Sequence, residues 1–334
     1  ISVEEKATGE IMAGAGIGTD GTRFQFMIKE NNWLGRGIKL ESSLNASEHK
    51  ISGDILVHNP NYNFSGNSIT TGLDVSSTDR SSTSGFKSSK TGFNLATSFE
   101  QYENVYLSPN ISVAFEDIEV DSTASSSIRN MEGNFFNADV GYGIVFDKRN
   151  QKFRPTQGYR SAFHQSLPIV QDSSSFKNTF AVSTYHDFSE DFIGSMKFLV
   201  KSINGVDNDV RLTNRLYVPQ SRLRGFNTYQ VGPKDGDDYI GGNYLTTVNA
   251  EAQLPNLLPE TYRTDISVFL DTANIWGVDY NDSIDETDKI RAAVGVSANI
   301  FTTVGPLSFT IAQDITKHAS DTTETFNFRL GTSF

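Results

Sequence analysis

The feature that most constrains the fold of this chain is a period-two alternation of apolar and polar residues along almost its whole length. Between Arg23 and Lys29, for example, Phe24, Phe26 and Ile28 share one face, and Arg23, Gln25 and Lys29 share the other. Such alternation places apolar side chains on one face of a β-strand. We find no helical apolar stripe, and no apolar run approaches the roughly 20 residues of a transmembrane helix. The sequence therefore predicts an all-β protein.

The number and spacing of the alternating segments predict a barrel. There are about sixteen segments, each with an apolar band of about nine to eleven residues, which suffices for a tilted strand to cross a bilayer. The first lies near residues 10–18 and the last near 322–334. Their connections alternate between longer polar loops and shorter turns, as in bacterial outer-membrane barrels. We expect one sixteen-stranded antiparallel transmembrane β-barrel.

The composition agrees with a membrane barrel. The chain has 334 residues, no cysteine, a net charge of −12 and a hydrophobic content of 37%. That content is low for a soluble core of this size, but a transmembrane barrel needs apolar residues on only one face of each strand. The acidic balance argues against a nucleic acid as partner. The polar start at Ile1 lacks a signal peptide, so we expect a mature or truncated chain.

Motifs for enzymatic or metal chemistry are weak. Gly14, Gly16 and Gly18 resemble a phosphate-binding loop, but an Asp-Gly turn and a strand follow them where a helix is required. We interpret them as glycines that weaken the first strand. The acidic stretch 279–288 lacks the spacing of a calcium loop, and the five histidines lack metal-ligand spacing. We therefore expect no enzymatic activity, metal or cofactor.

One connection, residues 204–240, is much longer than the others and is predicted to be functional. Loops of this length are uncommon in compact domains unless they carry a function or are disordered. At its centre lies the basic, glycine-containing and aromatic cluster Arg222-Leu223-Arg224-Gly225-Phe226. Its glycines suggest fixed turns.

Alternation on the two following segments places Glu251, Phe269 and Asp271 in the lumen. Two inward carboxylates on adjacent strands require a cation or water. Arg224 is a candidate partner, because a guanidinium can bond carboxylates in paired geometry. The alternative is that the three charges are separately solvated in a wet lumen. The pattern alone leaves both readings open.

The chain resembles the barrel domain of the BamA family of outer-membrane protein assembly factors over essentially its whole length. The resemblance rests on motifs that occur in the family's order: Asn32-Trp33-Leu34-Gly35-Arg36-Gly37, Asp147 with Arg149, Pro155-Thr156-Gln157-Gly158, Arg222-Leu223-Arg224-Gly225-Phe226, Val231-Gly232-Pro233, Gly241-Gly242-Asn243, Phe269 to Trp276, Gly305-Pro306-Leu307, and the terminal Phe326 to Phe334. Leu223 replaces the family's usual valine. Ala273 stands where the family has glycine, which leaves the local turn in doubt.

The resemblance implies that the sixth extracellular loop, 204–240, folds into the barrel of a single domain spanning 1–334. In the family the arginine of this loop contacts lumenal residues of strands twelve and thirteen. The implied loop clamp comprises Arg224, Gly225, Phe226, Glu251, Phe269 and Asp271. Family members also carry periplasmic domains before the barrel, and none precedes Ile1 in this sequence.

The function implied is that of a central insertase, integral to the bacterial outer membrane, which inserts other barrels through a lateral gate. The gate would lie between the first and last strands, at Gly14, Gly16, Gly18, Phe326, Phe328, Leu330, Gly331 and Phe334. The implied partners are unfolded β-barrel clients, outer-membrane lipids, and assembly-complex lipoproteins reached through the periplasmic domains. Alternatives are a TamA-like or two-partner-secretion barrel, which periplasmic domains would distinguish, and a diffusion porin, which open-channel conductance would distinguish.

Overall fold

Sixteen antiparallel strands form a closed barrel in the computed structural model, which describes residues 7–19, 21–172, 174–206, 208–255, 264–281, 284, 289–302 and 305–331. The strands are β1 (Gly9–Gly18), β2 (Gly21–Trp33), β3 (Ile38–Ser47), β4 (Lys50–Asn59), β5 (Ser68–Arg80), β6 (Phe86–Tyr102), β7 (Val105–Val120), β8 (Gly133–Asp147), β9 (Gly158–Gln171), β10 (Ser175–Ser189), β11 (Phe192–Gly205), β12 (Tyr244–Gln253), β13 (Thr264–Trp276), β14 (Arg291–Thr302), β15 (Gly305–Thr316) and β16 (Phe326–Gly331). Each pairs with its sequence neighbours, and β16 closes on β1. The predicted fold class and strand number are confirmed.

The outer face of the barrel is an apolar surface. It consists of alternate strand residues whose large side chains are exposed. They include Ile11, Ile17, Phe24, Phe26, Ile28, Leu44, Ile51, Ile55, Leu73, Val75, Phe93, Leu95, Ile111, Phe115, Val140, Ile144, Val268, Leu270, Val294 and Val296. Soluble monomers rarely expose a contiguous apolar surface of this extent. An outward apolar band around a closed barrel is instead the arrangement that faces lipid.

In the described residues, helical structure is confined to short pieces in the connections. The two α-helices found there are single turns, Ser81–Ser84 and Ser126–Arg129. None of the helices in the described parts of the chain is long and apolar enough to cross a membrane.

The strands β5, β6 and β7 extend beyond the apolar alternation of their sequences. β5 runs to Arg80, β6 starts at Phe86 and β7 ends at Val120, so the connections that follow β5 and β7 comprise residues 81–85 and 121–132. Beyond the apolar band their side chains are hydroxylic or charged, as in the Lys87–Asp79 ion pair at 2.8 Å. Apolar periodicity cannot identify this part of a strand, because its side chains are polar and face solvent.

The last strand starts later than predicted. Residues 322–325, which we expected within it, lie before β16. Residues 322–324 contact the long connection, and the Thr325 carbonyl accepts from the Ala312 N–H of β15 at 2.9 Å. Phe226 forms a bridge with Thr323, the Asn227 N–H donates to the Thr322 carbonyl at 2.9 Å, and the Glu324 N–H donates to the Gly225 carbonyl at 2.9 Å. Before it joins the barrel wall at β16, the chain therefore pairs with the long connection inside the lumen. Phe334 lies outside the described residues.

The connection 206–243, called the long loop below, lies inside the barrel, and its described residues, 206 and 208–243, have structure of their own. It contains two 3₁₀ turns, Leu212–Asn214 and Gln220–Arg222, and a ribbon of Lys234–Asp235 against Asp238–Tyr239. Its apolar residues pack on two parts of the inner wall. Leu212 and Ile240 belong to a buried cluster with Phe86 of β6 and Ile118 of β7, and the others pack on β12, β13 and β14. This lumenal core comprises Val218, Leu223, Phe226 and Val231 from the loop, with Leu245, Ala273, Ile275 and Ala293 from the wall. Ala273 therefore lies within a strand, and no turn occurs at that position.

We predict the membrane topology from the two ends of the barrel. Ser126 lies in the β7–β8 connection, at the end that carries the long loop, and Asn61 lies in the opposite β4–β5 turn; both are exposed. Long loops face the outside in such barrels. A cysteine at Ser126 should therefore react with an impermeant maleimide on intact cells, whereas one at Asn61 should react only after lysis. The wild-type chain, which has no cysteine, is the blank. Labelling of Asn61→Cys on intact cells would contradict this orientation.

Candidate functional site

Arg224 of the long loop is bound by a paired hydrogen bond to Asp271 of β13. Its Nε donates to Asp271 Oδ2 at 2.7 Å, and its Nη2 donates to Oδ1 at 2.9 Å. The backbone N–H of Arg224 donates to the same Oδ2 at 3.1 Å. This is the fork geometry that makes arginine–carboxylate pairs stronger than ordinary hydrogen bonds. It places the centre of the long loop directly on the wall of the barrel.

Two further wall residues surround the guanidinium. Arg224 Nη1 donates to Glu251 Oε2 on β12 at 2.8 Å, and its Cζ lies 3.5 Å from the ring centroid of Phe269 on β13. The Asp271 side chain is 0% exposed, Arg224 17% and Glu251 31%. An arginine over an aromatic face gains from the ring's negative potential, and gains more when it is desolvated. The structure therefore shows a largely dry clamp and not three separately solvated charges.

The buried Asp271 carboxylate has its hydrogen-bonding capacity filled. In addition to three bonds from Arg224, Oδ1 accepts from Asn249 Nδ2 at 2.8 Å. A carboxylate offers about four acceptor sites, so these four hydrogen bonds replace most of those that the carboxylate would make with water. Asn249 Nδ2 also donates to the Arg222 carbonyl at 2.8 Å. Sequence analysis did not include Asn249 in the site, although it is the inward residue next to Glu251 on β12.

Gly225 is required by a close approach to the wall. Its φ is +91°, and a Cβ placed there would lie 2.8 Å from the Cβ of Ala312 on β15 and 3.4 Å from that of Ala293 on β14. A left-handed φ is also costly for residues other than glycine. Phe226 follows and is 2% exposed within the lumenal core. The cluster thus combines the ion pair of Arg224, the close approach of the Gly225 backbone to the wall, and the buried ring of Phe226.

The seam between β1 and β16 is short in the described residues. It contains three register pairs, Gly16 with Gly331, Ile17 with Leu330 and Gly18 with Arg329. On its other side β1 pairs with β2 over ten residues, Gly9–Gly18. β1 thus lies between β2, its neighbour in sequence, and β16, the last strand of the barrel.

The predicted gate residues occupy both sides of this seam. Gly14, Gly16 and Gly18 face the lumen, where a Cβ on Gly18 would lie 2.5 Å from the Phe328 carbonyl oxygen. Gly331 has a φ of +146°, and its Cβ would lie 2.3 Å from the Ala15 carbonyl oxygen. Gly18 and Gly331 thus permit close approach of the two strands. Phe326, Phe328 and Leu330 share the outward face of β16, with the two phenylalanine rings 6.3 Å apart.

Comparison with known proteins identifies similar chains. Residues 32–334 match the Omp85 superfamily domain. The whole chain is 24% identical to the outer membrane protein assembly factor BamA of Neorickettsia risticii and covers 46% of it. Over 174 residues, 48% of the chain, it is 25% identical to the sorting and assembly machinery component 50 homolog of Homo sapiens, of which 36% is covered. The chain spans about half the length of the BamA relatives that it matches.

A solved structure shows the same fold. It is the crystal structure of BamA from Haemophilus ducreyi lacking POTRA domains 1-3, which matches with a TM-score of 0.88 and 22% identity. The match covers 99% of this chain and 71% of that chain.

We predict that Arg224→Ala releases the long loop. The change leaves a fully buried Asp271 beside Glu251, and breaking a buried pair costs about 3–5 kcal/mol. Native-state proteolysis of the loop measures this opening energy, and a double-mutant cycle with Asp271→Ala gives the coupling. Arg224→Lys should restore only part of it, because an ammonium cannot form the fork.

The control for this experiment is the more exposed ion pair between Arg154 and Asp265, whose side chains are 51% and 26% exposed at a distance of 2.6 Å. Its removal by Arg154→Ala should cost only about 0–1 kcal/mol. Coupling near zero between Arg224 and Asp271, with the loop equally protected, would show that the clamp contributes nothing.

We predict that Gly225→Ala also loosens the loop, and more than Gly236→Ala does. Both glycines have a left-handed φ, +91° and +64°, but only Gly225 has a wall atom within contact of its added Cβ. Both variants therefore carry the conformational cost of about 1 kcal/mol, and only Gly225→Ala carries the clash. Proteolysis rates of the two variants measure the difference. Equal rates would show that the effect of Gly225→Ala comes only from its backbone conformation and not from a clash with the wall.

Proposed function

This chain belongs to the Omp85 superfamily, and on that premise we propose that it is the barrel of an outer-membrane insertase that folds and inserts other β-barrel proteins. Client strands enter through a lateral gate between β1 and β16. The names of two relatives support the proposal: one is an outer membrane protein assembly factor and another a sorting and assembly machinery component. The proposed reaction rearranges hydrogen bonds and involves no covalent step.

The observation that carries the proposal is the seam itself. It is where β16 closes on β1, and because these are the first and last strands of the barrel, no turn connects them. Separation of the two strands would expose the edge of β1, and a strand edge with free N–H and C=O groups is a template for another strand. Addition of an extended client segment to such an edge is an established mode of peptide recognition. The two strands can separate without any change in the turns that join the other strands.

The clamp has a distinct part in this proposal. With Arg224 bound to Asp271, the long loop remains on β12, β13 and β14, away from the edge of β1. The wall formed by β12, β13 and β14, which only β15 and β16 separate from the seam, is thereby stiffened while the seam itself opens. The same packed loop argues against a diffusion porin, because a porin keeps an aqueous channel through its lumen.

The site of action in this proposal is the bacterial outer membrane, in which the chain is integral. The apolar outer face supports that placement. The proposed partners are unfolded β-barrel clients, membrane lipids along the seam, and lipoproteins of an assembly complex, reached through periplasmic domains of the whole protein. A TamA-like or secretion barrel shares the fold, and client assembly distinguishes these activities.

A disulfide across the seam tests the gate. Ile17 and Leu330 are register partners on β1 and β16, so the pair Ile17→Cys/Leu330→Cys should lock the seam. Oxidation should abolish insertion of a urea-unfolded client barrel into liposomes that contain this protein, measured as the protease-resistant client, and reductant should restore it. The matched control is Ile55→Cys/Leu73→Cys, an outward register pair of β4 and β5.

The control disulfide should leave insertion unchanged. Normal insertion with the seam fully oxidised would remove lateral opening from the mechanism. Absence of insertion by the wild-type barrel, or by the reduced protein, would contradict the insertase proposal itself.

A further inference from the structure

A second buried arginine–aspartate fork lies at the long-loop end of the barrel, and neither of its residues was singled out from the sequence. Arg291, the first residue of β14, donates from Nε to Asp321 Oδ2 at 2.9 Å and from Nη2 to Oδ1 at 3.2 Å. Both side chains are 0% exposed. Asp321 belongs to the connection between β15 and β16. The fork therefore ties the segment that precedes the last strand to the barrel wall.

The same carboxylate also binds the long loop. The Gly232 N–H donates to Asp321 Oδ1 at 3.1 Å, and the His318 N–H donates to Oδ2 at 2.7 Å. Arg291 in turn donates from Nη1 to Asn274 Oδ1 on β13 at 3.2 Å. One buried side chain, Asp321, thus joins three parts of the molecule: the wall, the long loop and the segment leading to the seam.

The segment after Asp321 transmits this fixation to the seam. Thr322 exchanges backbone hydrogen bonds with Asn227 and Gln230 of the long loop, at 2.9 and 3.0 Å. Phe326 then begins β16, five residues beyond Asp321, which is about 17 Å of extended chain at the rise of a strand. A short extended segment has little slack, so the position of Asp321 determines which residues of β16 face β1.

We propose that Asp321 and Arg291 are positioning residues that set the register of the last strand at the seam and link it to the long loop. Side chains alternate with a period of two, so the nearest alternative register is a shift of two residues. Such a shift is opposed by the pairing of β16 with β15, over five residues, and by the segment that Asp321 fixes. The importance of the register for client entry rests on the proposed function, but the register itself can be measured without a client.

Cysteine pairs measure the register directly. In the purified barrel, embedded in lipid nanodiscs, Ile17→Cys/Leu330→Cys reports the observed register, and Ile17→Cys/Phe328→Cys reports a shift of two residues. Adding Asp321→Asn should lower the rate of disulfide formation in the first pair at least about threefold and raise it in the second, because alternative registers become populated. The control is Asp147→Asn, which breaks the Asp147–Arg149 fork of 2.8 and 2.7 Å at the opposite end of the barrel. It should change neither rate.

A second variant separates positioning from stability, since Asp321→Asn leaves a buried arginine without its partner. Replacing a buried pair by apolar residues of similar size is often neutral for stability. Arg291→Met/Asp321→Leu should therefore fold as the wild type does, judged by the compact band in unheated SDS gels, yet still show the shifted disulfide. Preserved register in this folded double variant would overturn the proposal. A shifted register with normal client insertion would support the positioning role of Asp321 and Arg291 and would contradict the proposed gate function of the seam.

Discussion

The fork between Arg224 and Asp271 is the interaction on which the interior of this barrel depends. A lumen lined by polar side chains gives a loop of this length no reason to occupy one position, because water can replace each contact at little cost. A carboxylate without solvent exposure changes that balance, since it needs a partner with matching geometry. Arg224 supplies three of the four hydrogen bonds that Asp271 accepts. Around this point the apolar residues of the long loop can pack in one arrangement.

The loop held in this way organises the rest of the molecule around the seam. Its backbone binds residues 322–324, so the chain enters β16 from the lumen and not along the wall. β16 then pairs with β1 through Arg329, Leu330 and Gly331. The packing of the loop thus fixes how the last strand enters the wall, and Gly18 and Gly331 let the two strands approach. The two buried forks act on the same loop from neighbouring strands.

Much of this architecture could be predicted from the sequence because a barrel wall obeys one local rule. Period-two alternation identifies the strands, and the same rule puts Glu251, Phe269 and Asp271 in the lumen without any knowledge of contacts. The clamp partner Arg224 required more, since its loop has no periodicity, and the family resemblance supplied the pairing. The prediction for 322–325 was wrong, because alternation cannot show which strand or loop an extended segment pairs with. No sequence pattern marked Arg291 or Asp321 as functional, since each is a single charged residue next to a polar connection.

The central claim is that the seam of β1 and β16, which no turn connects, opens more easily than the other strand pairs of the barrel. Site-resolved amide hydrogen exchange of the bilayer-embedded protein tests it most directly, because exchange reports the free energy of local opening. The account predicts that the amides of Ile17 and Leu330 exchange at least about tenfold faster than those of Ile55 and Leu73, paired in β4 and β5, which is an opening energy lower by about 1.4 kcal/mol. Equal protection at the two positions would contradict it.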